Sequence, residues 1–186
     1  MKLRGLGPIF LIVVVVVLLF MLIFGVVLVG AYNGLVAKQA AAEAQWANVG
    51  VRFQQKINLI PTLVNITAQY TQFEASLLTN LTDLRSRWLN TTRIPDQVNL
   101  SNLINLMLAN WVSVYEAYPE LQQSGSLTRG LFDEIASMEL NIAVESIRFN
   151  DRVRAYETSR RSFPDSLVAG GFPPFEYYNP VGIPQP

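Results

Sequence analysis

Residues 9–29 read IFLIVVVVVLLFMLIFGVVLV. None of these 21 side chains is charged, and only Gly25 is not large and apolar. A helix rises about 1.5 Å per residue, so the run spans about 31 Å, the thickness of a bilayer's hydrocarbon core. The β-branched stretch Val13–Val17 is tolerable there, because backbone groups in lipid must bond within their own segment. A cleaved signal peptide has a shorter apolar core and a small-residue cleavage site. The run is therefore expected to be a retained transmembrane anchor over residues 9–30, behind a short cytoplasmic N-terminus of residues 1–8.

Charge sets the expected orientation. Lys2 and Arg4 precede the span, and the first basic residue after it is Lys38, followed by the acidic Glu43. The positive-inside rule places such an N-terminus in the cytoplasm and the rest of a single-pass chain outside the cell membrane. Four Asn-x-Ser/Thr sequons, at Asn65, Asn80, Asn90 and Asn99, fall within 37 residues. They suit an exposed and glycosylated face, and equally an unmodified polar helix surface. Gly30 and Gly34 have the spacing that lets two anchor helices approach closely. A flexible junction at Gly34 explains them as well.

Composition narrows the function classes. The chain holds 14 basic and 14 acidic residues, and setting aside Lys2 and Arg4 leaves 12 basic ones. A near-neutral domain without a basic cluster has no electrostatic reason to bind nucleic acid. Charged residues are 15% of the chain, against about 25% in typical soluble domains. There is no Cys and no His. Thiol nucleophiles, thiolate metal sites, the usual proton shuttle and the commonest metal ligand are thereby removed. No Gly-rich phosphate loop or nucleophile elbow occurs. No catalytic residue, cofactor or metal is expected.

Beyond the anchor, apolar residues recur at steps of three and four. One stripe is Trp46, Val49, Phe53, Ile57 and Ile60; the next is Leu63, Ile66, Tyr70, Phe73 and Leu77, continuing through Leu81, Leu84 and Trp88. A loop is expected over Asn90–Asp96, containing Pro95. A third stripe runs Ile104, Met107, Trp111, Val114 and Tyr118 to Pro119. A fourth helix, capped by Ser126 or Thr128, carries Leu131, Ile135, Met138, Ile142, Phe149, Val153 and Tyr156 and ends before Pro164. No segment alternates with period two.

The expected fold is all-α. An N-terminal transmembrane helix precedes an antiparallel bundle of long helices over residues 31–163, in four segments. Pro61 cannot donate to the ladder and clashes with the carbonyl of Ile57, so the chain kinks or reverses there. Residues 164–186 are rich in Pro, Gly and aromatics. They are expected to form an extended tail packed on the bundle or on a neighbour.

Several blocks, in order, resemble the LemA family. Tyr32-Asn33-Gly34-Leu35-Val36 is similar to its Tyr-Asn-x-Leu-Val opening, and Glu43-Ala44-Gln45-Trp46-Ala47-Asn48-Val49 to its Glu-x-x-Trp block. Asn58-Leu59-Ile60-Pro61-Thr62-Leu63-Val64 resembles its Asp-Leu-Ile-Pro-Asn-Leu-Val string. Tyr118-Pro119-Glu120-Leu121 and Arg148-Phe149-Asn150-Asp151 resemble its Tyr-Pro-Asp-Leu and Arg-Tyr-Asn-Asp blocks. Phe163-Pro164, Gly171-Phe172 and Phe175-Glu176 resemble the closing blocks. The family's basic pair is Gln55-Lys56 here, its His before Glu is Phe73, and the second Asn of its last helix is Glu157. The resemblance covers roughly residues 31–176 and implies an anchored helical bundle with no general biochemical activity.

The one carboxylate placed within an apolar stripe is Glu145, between Ile142 and Phe149. A buried carboxylate needs a partner, and Arg52, Lys56 or Arg148 can supply one. An ion pair fixing helix register is the preferred reading. Asn33, Asn150 and Asp151 are read as capping or inter-helix hydrogen-bonding residues. Glu43, Glu74 and Glu139 would be the carboxylates of a bundle-type metal site, which usually also needs His. The expected function is a non-enzymatic surface scaffold that contacts membrane lipid and forms homo-oligomers. The alternative is a module that recruits another envelope protein.

Overall fold

The computed structural model describes residues 6–68, 75–117 and 126–179. Tyr70, Phe73, Glu74 and Tyr118-Pro119-Glu120-Leu121 lie outside them. All regular structure among the described residues is helical. The α-helices are α1 (Leu6–Ile57), α2 (Ile60–Thr67), α3 (Ala75–Asn90), α4 (Ile94–Ala117) and α5 (Ser126–Arg161), followed by two 3-10 turns, Asp165–Leu167 and Ala169–Gly171. α1 is 52 residues long. It carries the apolar run, and every large side chain from Ile9 to Phe24 is exposed, as befits a surface meant for lipid. It runs unbroken through Gly30 and Gly34.

Pro61 kinks the chain rather than reversing it. Asn58 N–H still bonds Gln54 O at 3.0 Å, Leu59 N–H bonds Lys56 O at 3.1 Å, and Leu63 N–H bonds Leu59 O at 3.0 Å. Leu59 stays right-handed helical at φ −80°, ψ −17°, and Pro61 occupies the first turn of α2. A proline is tolerated at that point because its missing N–H would be orphaned anyway. The carbonyl that Pro61 cannot serve, Ile57 O, accepts Arg85 Nε from α3 at 3.0 Å instead. α3 then runs back along the preceding helices. Phe53 faces Trp88 at 5.2 Å between ring centroids, Ile57 meets Arg85, and Val64 lines a groove with Leu78.

The expected loop Asn90–Asp96 is shorter than the sequence suggests. α4 starts at Ile94, with Pro95 in its first turn and Asp96 there as well, where a carboxylate meets the positive end of the helix dipole. Trp88 Nε1–H to Ser101 Oγ, 3.0 Å, ties α3 to α4.

By its internal contacts the chain forms two units, Met1–Ala41 with Val153–Phe175, and Ala42–Arg152 with Glu176–Pro186. In the first, Leu35, Tyr156 and Phe172 form the core, with Val168, Ala169 and Phe175 against them. Tyr156 OH donates to Pro173 O at 2.7 Å, and Glu157 accepts the backbone N–H of Phe175 at 2.9 Å. Lys38 Nζ donates to Ser159 Oγ at 2.6 Å and lies 3.9 Å from Asp165. The Phe163–Pro164 peptide is cis. The tail is thus 3-10 turns and then extended chain, and its first part packs on its own unit.

Candidate functional site

The second unit buries a lysine. Lys56 ends the stripe of Trp46, Val49 and Phe53 one residue before Ile57, and it is 1% exposed. A charge so placed is costly unless satisfied. Its ammonium donates to Asn105 Oδ1 at 2.7 Å and to the carboxylate of Glu139 on α5. It also lies 5.8 Å from the ring centre of Phe53. Burial pushes the Lys56 ammonium below its ordinary value; the Glu139 carboxylate beside it pulls the other way and does not win. Glu139 remains partly open to solvent.

The tail closes this centre. Asn150 Nδ2 donates to Tyr178 O and its Oδ1 accepts Tyr178 N–H, both at 2.9 Å. The Tyr178 ring stands edge-on to Trp46 at 5.3 Å, and Trp46 in turn to Phe149 at 5.1 Å. Trp46 Nε1–H donates to Gln97 at 2.6 Å. The Tyr178 hydroxyl sits beside Ser101 and Asn105. Burial, the largest cause, raises its pKa far above the ordinary phenol range, and Glu139's charge adds to the rise. Asn105 Nδ2 and the Tyr178 hydroxyl are buried with no hydrogen bond of good geometry. Lys56, Ser101, Asn105 and Tyr178 are all buried, so the cluster helps to fix the packing of this unit's interior.

Of the three partners expected for Glu145, the structure supplies Arg148 rather than Arg52 or Lys56. Glu145 does not meet Lys56. It bonds Arg148 at 3.0 Å and Gln45 Nε2 at 2.7 Å at the edge of the apolar face, half-buried. Arg52 is exposed and bonds Gln55 at 3.4 Å. Glu139 takes Lys56 because it lies on the other flank of α5, three residues before Ile142 and six before Glu145. Asn150 is an inter-segment bonding residue, although its partner is the tail backbone. Asn65, Asn80, Asn90 and Asn99 are all exposed. Three lie inside helices, while Asn90 ends α3 and donates to Ser86 O at 2.8 Å. A Cβ added at Gly30 or Gly34 would meet nothing within 4 Å, so neither glycine is needed for packing within this chain. Among the described residues no group of carboxylates gathers as a metal site. A shallow groove of about 440 Å³ is lined by Val64, Leu78, Thr79, Thr82, Asp83 and Ser86. Tyr178 is one of the tail aromatics expected to pack, whereas Ser101 and Asn105, which complete the cluster, carry no signal in the sequence beyond being polar residues of a helix.

The family model for LemA matches residues 45–180. The chain belongs to the LemA family. The matched range holds Trp46, Lys56, Asn105, Glu139, Asn150 and Tyr178, so the buried centre lies inside the family's own domain. The Tyr32–Val36 block precedes it. At the LemA basic pair, Gln55-Lys56 here, Lys56 is interior while Gln55 is exposed. The departure at Glu157 also has a structural use, since its carboxylate holds the tail at Phe175. Among curated proteins there is no match.

Proposed function

We propose that this LemA-family chain is a membrane-anchored, non-enzymatic scaffold of the cell envelope that works by associating with copies of itself. One observation carries the reading. α5 has two apolar faces. Ile142 and Phe149 are fully buried, while Leu140, Val144 and Ile147, at spacing i, i+4 and i+7, are 72%, 47% and 60% exposed. A regular stripe of large apolar side chains on the far side of a well-packed helix suits a protein partner better than water. Lateral packing is also eased by a surface of amides and hydroxyls with few charges. The absence of His and Cys leaves ordinary nucleophilic and acid–base catalysis without its usual residues, in keeping with a structural role. The N-terminal helix is long and apolar enough to cross a membrane. With Lys2 and Arg4 ahead of it, the positive-inside rule favours a domain outside the cytoplasm.

The test is a mass measurement on the full chain in mild detergent at micromolar concentration. The wild type is expected above monomer mass. Leu140→Glu with Ile147→Glu is expected to return it to monomer with unchanged helical circular dichroism. A monomeric wild type overturns the proposal. Recruitment of a foreign partner is the second reading, favoured by the apolar groove between α2 and α3. A stoichiometric second protein captured from membranes, unaffected by the α5 substitutions, would select it.

A further inference from the structure

The segment after α5 exposes large apolar side chains beside the end of the anchor. Phe163 is 77% exposed and Leu167 is 54% exposed. Arg161, just before them, has a side chain 77% exposed, and Arg160 is partly so. In water, two such apolar groups within five residues of a short loop have no evident use.

Their height along α1 supplies one. Phe172 packs edge-on against Tyr32 at 5.3 Å and on Leu35, while Asp165 and Ser159 meet Lys38. The apolar run ends at Val29. At about 1.5 Å per residue, Tyr32, Leu35 and Lys38 stand about 4.5, 9 and 13.5 Å beyond that point. The headgroup region of a bilayer is about 5–8 Å thick on each side. Cover on α1 begins at once past the span, since Ala31 is 6% exposed. Phe172 is therefore held against α1 at headgroup level, while Asp165, between Phe163 and Leu167, is tied to Lys38 about 6–8 Å further out. Elements at that level bury apolar side chains about 5–10 Å into the boundary with the acyl chains. Tyr32 is half-exposed at the same height, where aromatic rings favour the interface. Arg160 and Arg161 each lie 3.4 Å from the Glu157 carboxylate, and the outward side of that cluster, Arg161 above all, completes the pattern, since basic groups near the surface are drawn to anionic headgroups.

We propose that the segment Phe163–Phe172 is a second membrane contact, with Phe163 and Leu167 entering the lipid interface and Arg160 and Arg161 facing headgroup phosphates. The proposal rests on the anchor reading above, and it commits to the bilayer that α1 itself crosses. The native absence of cysteine permits a direct test. Phe163→Cys, Leu167→Cys and, in mid-span, Val16→Cys are each made in the full chain. Each variant is spin-labelled and placed in nanodiscs of phosphatidylcholine with phosphatidylglycerol. Accessibility to oxygen, which concentrates in lipid, is compared with accessibility to a water-soluble nickel chelate.

The labels at 163 and 167 are expected at interfacial depth, several-fold less accessible to nickel than a free label, with the label at 16 deeper still. Removing phosphatidylglycerol, or introducing Arg160→Gln with Arg161→Gln, is expected to make the first two shallower. Nickel accessibility at 163 and 167 equal to that of free label, with the label at 16 still deep, overturns the loop contact and leaves the anchor standing. An aqueous label at 16 overturns the anchor and the contact together.

Discussion

Lys56 is a charge taken out of water and held by two polar partners. Removing one partner of such a pair costs more than replacing the charge with a hydrocarbon of similar shape. Glu139→Ala should therefore destabilise the chain by about 2 kcal/mol, the usual cost of a buried polar group left unsatisfied. Partial exposure of Glu139 keeps the figure from rising higher. Lys56→Met should cost less, and adding it to Glu139→Ala should recover part of the loss; urea titration of the three variants checks the order. The alkaline limb has its own signs. Lys56 is held below its ordinary 10.5, so between its lowered value and 10.5 the unfolded chain binds more protons and stability rises with pH. Tyr178 is held above its ordinary 10.0, so above pH 10 the unfolded chain loses its proton first and stability falls as pH rises. Tyr178→Phe should abolish that fall, as urea midpoints between pH 9 and pH 12 would register. Lys56 drew attention from sequence as one of three basic residues able to pair with Glu145. Its partner did not, because Glu139 and Glu145 stand on opposite flanks of one apolar face and periodicity alone cannot say which flank α1 approaches.

At the scale of elements, helical spacing gave the stripes that the structure packs, and prolines were harder to read. Pro61 and Pro95 both fall in the first turn of a helix, where they start an element rather than interrupt one. Whether Pro61 kinks or reverses the chain depends on what receives the freed carbonyl, and that is a residue 28 positions away, Arg85 on α3. Arg85→Ala should leave Ile57 O without its long-range donor. The expected loss is about 1 kcal/mol, with faster amide exchange around Asn58 and Leu59. Arg85→Lys should recover only part, because an ammonium lacks the planar fork that reaches both Ile57 O and Asn58. A midpoint unchanged in Arg85→Ala would show that water serves the carbonyl equally well.

For the whole molecule, helical class and the membrane-length apolar run were legible because both are compositional and periodic over tens of residues. The course of the tail was not, since it is fixed by single side chains far back in the chain. Glu157 takes Phe175 N–H, and Asn150 brackets the backbone of Tyr178. Neither contact leaves a period. Asn150→Ala should loosen the tail while sparing the helices. Chymotrypsin is expected to cut at Tyr177 or Tyr178 several-fold faster, with the far-ultraviolet spectrum unchanged, and equal cutting rates would refute the clasp.

Tyr178 also has a consequence in time. Every side chain it adjoins in the second unit, from Trp46 to Asn150, precedes it in the chain. While the polypeptide is still emerging, α1, α4 and α5 can meet, yet the chamber around Lys56 has no stopper and water can solvate the ammonium. Drying of that interior waits for one late tyrosine, so the finished packing of this unit is sealed from its C-terminal side.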